Sequence, residues 1–242
     1  MQNIEGQYSF SSTKSLGAKW KASRQDALFK HFLPILSRDS LVVEAGPGRG
    51  EFSRACVSRG LRFTGIEPSE TLAESLRQEG FDIIQDTIPP MPLNSDSVDL
   101  VHSADFVEHL VDYREVMAFF KESFRVLKPG GYISVIAPNY ETIRTLYFKY
   151  EYQHSFIVTR HRIGNALEDC GFEIVNSRSF LISPAPWKNI MDRILVHTAV
   201  PVLTNAWVQA LIRMLANEDI LFRINKNLYD HVAVLARKPA AE

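Results

Sequence analysis

Short apolar runs alternate with amphipathic stretches along most of the chain. Residues 41–46 (LVVEAG) are apolar at successive positions rather than alternate ones, as in a parallel strand buried on both faces. Residues 51–60 (EFSRACVSRG) follow with helical spacing and stop on Gly60. The alternation then repeats. Residues 62–67 (RFTGIE) read as a strand, and 69–80 as a helix opened by Ser69 and closed by Gly80. Residues 81–86 (FDIIQD) and 97–103 (SVDLVHS) are the third and fourth strands. A helix running to about Val126 and a fifth strand at 130–138, introduced by a KPGG turn, complete the series. Strands alternating with helices predict a parallel sheet covered on both faces.

The last third changes character. Residues 159–171 have a helical pattern and 172–180 that of a strand, while 229–238 (YDHVAVLARK) is an alternating strand with no helix after it. Between these last two lies a long insertion, 181–227, with helical apolar spacing at Ile190, Ile194, Leu195, Leu203, Ala206, Trp207, Ala210 and Leu211. A lid over an apolar acceptor, a dimer face and a membrane-surface contact all fit that pattern, the lid best. We therefore expect one domain over 1–242: an N-terminal arm and helix over 1–38, a core over 39–180 and 228–238, and the helical insertion between.

Composition narrows the class. At 242 residues, with 45% hydrophobic and 23% charged residues, the chain can bury a core without staples. Cys56 and Cys170 fall in helical segments, which suggests reduced thiols and a cytoplasmic protein. The first residues have no apolar run of the signal-peptide kind, and no stretch is apolar enough to span a membrane. Net charge is −1, unevenly spread: residues 39–143 hold nine basic and seventeen acidic side chains, whereas both flanks are basic. An acidic centre between basic flanks suits a cationic cofactor and an acidic substrate. The absence of a dense basic tract with interleaved aromatics speaks against nucleic acid.

The glycines at 46, 48 and 50 follow the first strand directly. In a dinucleotide loop of the form G-x-G-x-x-G, the sixth position is glycine; here it is Glu51, whose carboxylate at a helix N-terminus repels a pyrophosphate. Carboxylates recur where strands end: Glu44, Glu67 and Asp86. Parallel sheets bind ligands at that edge. Carboxylates there disfavour phosphates and favour an adenosine that carries a sulfonium and an ammonium, which is S-adenosylmethionine.

The ordered blocks EAGPGRG, GIEPSE, QDTIPPMPLNSDSVDLV, VEHLVD and RVLKPGGYISVIAPN resemble the class I S-adenosylmethionine-dependent methyltransferases over roughly 40–140. The resemblance implies an α/β, Rossmann-like, seven-stranded sheet of order 3-2-1-4-5-7-6 with strand 7 antiparallel. It places Glu44, Gly46, Pro47 and Gly48 around the methionine part of the cofactor, Glu67 on the ribose and Pro68 beside the adenine. Asp86 and Thr87 would meet the adenine edge, and Ser103 and Ala104 would close over the methionine end. The family often has Ala or Leu where Thr87 stands.

Methyl transfer from a sulfonium needs the nucleophile held in line, and a base only where the acceptor loses a proton. His109 and His154 are the candidate bases. Asp105, Glu108 and His109 would share a face if their segment were helical, similar to the E-x-x-E-H signature of metal-dependent quinone-pathway methyltransferases; the same residues recur in metal-free relatives, and we assign no metal. Tyr8, Trp20, Tyr140, Tyr147, Tyr150 and Tyr152 could wall the cleft or simply pack. The expected acceptor is a small molecule, acidic or partly apolar, methylated on oxygen. A homodimer fits the insertion, and a catalytically silent cofactor-binding scaffold is the alternative function.

Overall fold

The computed structural model describes residues 36–143, 146–149, 153–181, 205–215 and 230–240, together with 25, 28–30, 32–34, 198 and 202. Seven strands form one sheet: β1 (Leu41–Ala45), β2 (Arg62–Ile66), β3 (Asp82–Ile84), β4 (Val98–Ala104), β5 (Leu127–Pro138), β6 (Glu173–Leu181) and β7 (Asp230–Arg237). Their order is β3-β2-β1-β4-β5-β7-β6. All neighbours are parallel except those of β7, which runs against both β5 and β6. The topology expected from the resemblance is thus the one observed.

Helices among the described residues include α1 (Glu51–Val57), α2 (Glu70–Gln78), α3 (Tyr113–Val126), the short α4 (Tyr140–Ile143) and α5 (Leu146–Lys149), α6 (Arg160–Asp169) and α7 (Ala206–Leu215). Local chemistry sets their starts. The Ser69 hydroxyl accepts from the Leu72 amide, Asp112 from Arg114 and Glu115, and Thr159 from Arg162, each quenching helix-end donors.

Side-chain alternation sends β1 residues to opposite faces. Val43 and Ala45 join a core with Phe119, Phe120, Ile163 and Leu167, while Val42 joins a second core with Phe32, Phe52, Leu76 and Leu100. Phe32 and Leu33 are buried in that second core, with the partly buried Leu28 and Phe29 packed against it.

Three details depart from the sequence reading. Strand β3 ends at Ile84, so Asp86 lies in the loop beyond it. Strand β5 starts at Leu127, ahead of the expected turn, and Gly131 is what allows it. A Cβ there would sit 2.9 Å from the Lys128 carbonyl oxygen and 3.2 Å from two others, so the strand can bend past β4 only with glycine. Finally, no helix follows β4 at once: a loop with a single 3-10 turn, Val107–His109, precedes α3, because Asp112 caps that helix.

Tyr8, Trp20, Tyr150, Tyr152, Ile190, Ile194, Leu195 and Leu203 lie outside the described residues. Of the insertion, α7 is described, and it exposes Trp207, Leu211 and Met214. No described helix is long and apolar enough to cross a membrane.

Candidate functional site

Parallel strands aim their carboxyl ends at one edge of the sheet, and the residues singled out from the sequence meet there. Glu44, on β1, is buried at 4% exposure and accepts a hydrogen bond from the Ser53 hydroxyl at 3.1 Å. Burial, opposed by that bond and reinforced by Glu51 and Glu67, pushes its carboxyl up to about 8. The Gly46 amide donates to the Ile66 carbonyl at 3.0 Å, which carries the chain over the end of β2. Gly46, Gly48 and Gly50 all have positive φ, at 69°, 54° and 73°, the left-handed region where a side chain is strained. Pro47 is buried beneath this loop.

Glu67, the residue after β2, ties the loop down. Its carboxylate accepts from the Gly48 amide at 3.1 Å and from the Ser69 amide at 3.0 Å. Burial raises its carboxyl, against the pull of those two bonds. Each carboxylate oxygen keeps a further lone pair, so the group can still accept from a hydroxyl. Pro68 beside it is exposed. Asp86 and Thr87 are also exposed, and Asp86 accepts from the Thr87 amide at 2.8 Å, a local turn.

Ser103 and Ala104 end β4. Ser103 is fully buried, pairs with Ala45, and its hydroxyl oxygen has no hydrogen-bond partner among the described residues. A buried hydroxyl without a partner is costly unless a ligand or water satisfies it. Two buried carboxylates, an orphan hydroxyl and a glycine loop with open space at Gly48 fit a cationic, hydroxyl-bearing ligand, as S-adenosylmethionine is.

Phe106 links this crevice to the histidines. A Cβ added to Gly46 would lie 3.1 Å from its ring, and two residues later the 3-10 turn presents Glu108 and His109. His109 is exposed; its ring centroid is 5.0 Å from that of His154. The two candidate bases are therefore brought together, but in different environments. His154 is buried, and burial followed by the neighbouring His109 lowers its imidazole to about 4, with Asp105 and a bond to the Tyr147 backbone opposing. It is a neutral ring near pH 7, a weaker base than a free imidazole.

Tyr147, expected in an aromatic wall, is buried. Its hydroxyl donates to the Phe156 carbonyl at 2.6 Å and accepts from the Val158 amide at 3.3 Å, and its ring meets His154 edge-on at 4.6 Å. Tyr140 packs edge-on against it at 5.6 Å. Tyr147 therefore packs against His154, and Tyr140 packs against Tyr147 in turn.

The Asp105, Glu108 and His109 grouping rests on a helix that does not form. Asp105 takes a φ of 52° and its carboxylate meets His231 Nε2 at 2.9 Å instead. His154 stands in its place: ligand atoms of Glu108, His109 and His154 lie within 4.8 Å of one another. Sequence reasoning missed His231. The signal was its position at the start of an antiparallel last strand, which returns to the carboxyl edge of the parallel ones. It also missed His102, buried in β4, stacked on Phe52 and within 3.2 Å of the Ser134 hydroxyl.

Residues 43–135 match the methyltransferase domain family model. A probable S-adenosylmethionine-dependent methyltransferase of Mycolicibacterium smegmatis is 34% identical over 100 residues, 40% of this chain and 38% of that protein. The tRNA (carboxymethyluridine(34)-5-O)-methyltransferase ALKBH8 of Macaca fascicularis is 26% identical over 122 residues, 49% of this chain and 18% of that one. The matched region thus spans under half the length of these curated relatives. Among solved structures, a SAM-dependent methyltransferase from Archaeoglobus fulgidus superposes with a TM-score of 0.61 at 19% identity, covering 90% of this chain and 94% of that one. Strand order, the glycine loop with its flanking carboxylates, and the match over 43–135 agree: this part of the chain is similar to class I S-adenosylmethionine-dependent methyltransferase domains, and the fold is theirs.

Proposed function

We propose that this protein transfers a methyl group from S-adenosylmethionine to an oxygen of a small-molecule acceptor. The observation that carries the reading is the joining of two features by one short segment. The carboxylate-lined glycine loop packs against Phe106, and the next turn presents His109 beside His154.

In this reading Glu67 holds the ribose hydroxyls, and Glu44 with Ser103 lies along the cationic methionine part. Gly46, Pro47 and Gly48 allow close backbone approach, and Pro68 flanks the adenine. Asp86 and Thr87, exposed past β3, reach the adenine edge only as an outer contact, while Ala104 borders the methionine end. The bound cofactor supplies an activated methyl on a sulfonium. The protein's own part is to hold the acceptor in line and to manage its proton. His109, exposed at the mouth, is the group placed to take that proton, and His154 buttresses it from below.

A small molecule fits better than nucleic acid because the net charge is −1 and residues 39–143 are acidic. One relative is nevertheless named for tRNA, so the test includes RNA. The protein is incubated with methyl-labelled S-adenosylmethionine and three fractions of an extract: small molecules, bulk RNA and protein. Label in a small-molecule product, lost with His109→Ala, supports the reading. Label confined to RNA or protein overturns the acceptor class. Cofactor binding with no labelled product in any fraction would instead support a silent binding scaffold.

A further inference from the structure

Glu108 and His109 close the turn after β4, and His154 comes from the separate segment after α5. The two segments are pinned together by backbone: the Ser155 and Phe156 amides both donate to the Glu108 carbonyl, at 2.8 and 3.1 Å. Side chains converge above that anchor. A carboxylate oxygen of Glu108 and one ring nitrogen of each histidine lie within 4.8 Å of one another, with Glu108 and His154 buried and His109 exposed.

We propose that Glu108, His109 and His154 bind a divalent transition metal ion of the zinc class. Two imidazoles and one carboxylate form a mixed nitrogen and oxygen set, which favours zinc, cobalt or iron(II) over magnesium or calcium, whose sites are built of oxygen. Metal–nitrogen bonds of about 2.1 Å in a tetrahedral site place ligand atoms about 3.4 Å apart. The present spacing closes to that by a shift of about 1.4 Å or less, and the His109 ring, which meets His154 edge-on, lies on the exposed side of the cluster. Glu108 is almost fully buried, which limits competition from water for its carboxylate. Three protein ligands leave a fourth position open on the exposed side, toward the mouth of the crevice. Asp105 is not a ligand, since its carboxylate is engaged by His231.

The ion's binding does not depend on the methyl-transfer reading. That an acceptor oxygen fills the open position does depend on it, and the two are tested apart. The whole protein is stripped with a chelator and titrated with cobalt(II), followed by visible absorption and by elemental analysis after desalting, with zinc as competitor. The expected result is one ion per chain, with absorption bands of a low-coordinate cobalt site, displaced by zinc and not by millimolar magnesium. His109→Gln, at an exposed position, weakens binding by at least about a hundredfold, as does His154→Gln. Asp105→Asn changes it by less than about threefold, and so does His161→Ala, a remote control. No stoichiometric cobalt binding by the wild type, or binding unchanged in His109→Gln, overturns the proposal. Equal displacement by magnesium overturns the assigned metal class. Metal bound as described, without methyl transfer to any acceptor, leaves this site standing and removes only the function proposed above.

Discussion

Asp105, in the loop after β4, and His231, at the start of the last strand, meet at 2.9 Å although 126 residues separate them. The contact clips β7 to the carboxyl edge of the sheet beside the histidine cluster. Asp105 holds a φ of 52°, a conformation that Asp and Asn tolerate better than other side chains. Two penalties therefore fall together in Asp105→Ala: backbone strain and the lost partner of a ring that is 96% buried. We expect a loss of about 2–4 kcal/mol in urea unfolding, with Asp105→Asn losing only about half as much. Equal losses for the two would show that the backbone strain is negligible.

Glu44 gives a pH prediction whose sign is fixed. Its carboxyl is raised to about 8 by burial, so the ligand-free protein binds a proton there that the unfolded chain releases near 4.5. The associated stability is complete below about pH 4.5 and is lost as pH rises through about 8. A cation docked beside the group favours the carboxylate instead, and binding then expels the proton. Affinity for S-adenosylmethionine should rise with pH between 6 and 8, by up to about tenfold per unit, and level off above. Glu51 and Glu67 face the same group and add to the effect. Calorimetry across that range checks it, and Glu44→Gln should flatten the slope. A slope unchanged in that variant would assign the proton elsewhere.

Much of the fold was legible because its strands are buried on both faces. Continuous apolar runs such as Leu41 to Ala45 leave little choice of partner once a helix follows each of them. The glycine loop and Glu67 were legible for a related reason: each is forced by a turn that the parallel order repeats. The acceptor side was not. Its residues are assembled by loops, whose conformations depend on caps and backbone signs that periodicity does not report. Thus Asp105 would share a face with Glu108 and His109 only in a helical segment, whereas Asp112 caps the helix seven residues later. His231 was read as one polar position in an alternating strand, and only the antiparallel return of β7 brings it to the site.

The three loop glycines should respond differently to alanine, although all have positive φ. At Gly50 a Cβ would lie 2.5 Å from Leu76 Cδ2, so steric overlap adds to strain where α1 meets α2. At Gly48 nothing lies within 4 Å. We expect Gly50→Ala to lose about 2–4 kcal/mol of stability and Gly48→Ala about 1–2, the cost of left-handed backbone alone. The order should invert for the cofactor. Gly48→Ala, whose methyl enters open space, should weaken S-adenosylmethionine binding more than tenfold, if that space is where the ligand lies, by roughly the 1.4 kcal/mol of a lost close approach. Thermal unfolding and calorimetry on the same two variants decide it, and intact binding by Gly48→Ala would place the ligand elsewhere.

The other end of the last strand is held by a single cation. Lys238 Nζ donates to the Phe124 and Leu127 carbonyls, both at 2.8 Å, and to Asp96 at 2.7 Å, while 4.8 Å from the Phe124 ring. Its side chain is 13% exposed and that of Asp96 is 56% exposed. The carbonyls, at the end of α3 and the start of β5, therefore matter more than the ion pair, which water screens. Lys238→Met keeps the length of the stem but removes every donor, and leaves two backbone oxygens poorly satisfied; it should cost about 2–4 kcal/mol. Asp96→Asn should cost under about 1 kcal/mol and respond little to salt. If the two variants lost the same stability, and added salt erased the difference from wild type in both, the ion pair rather than the helix-end carbonyls would be what fastens β7 to the rest of the sheet.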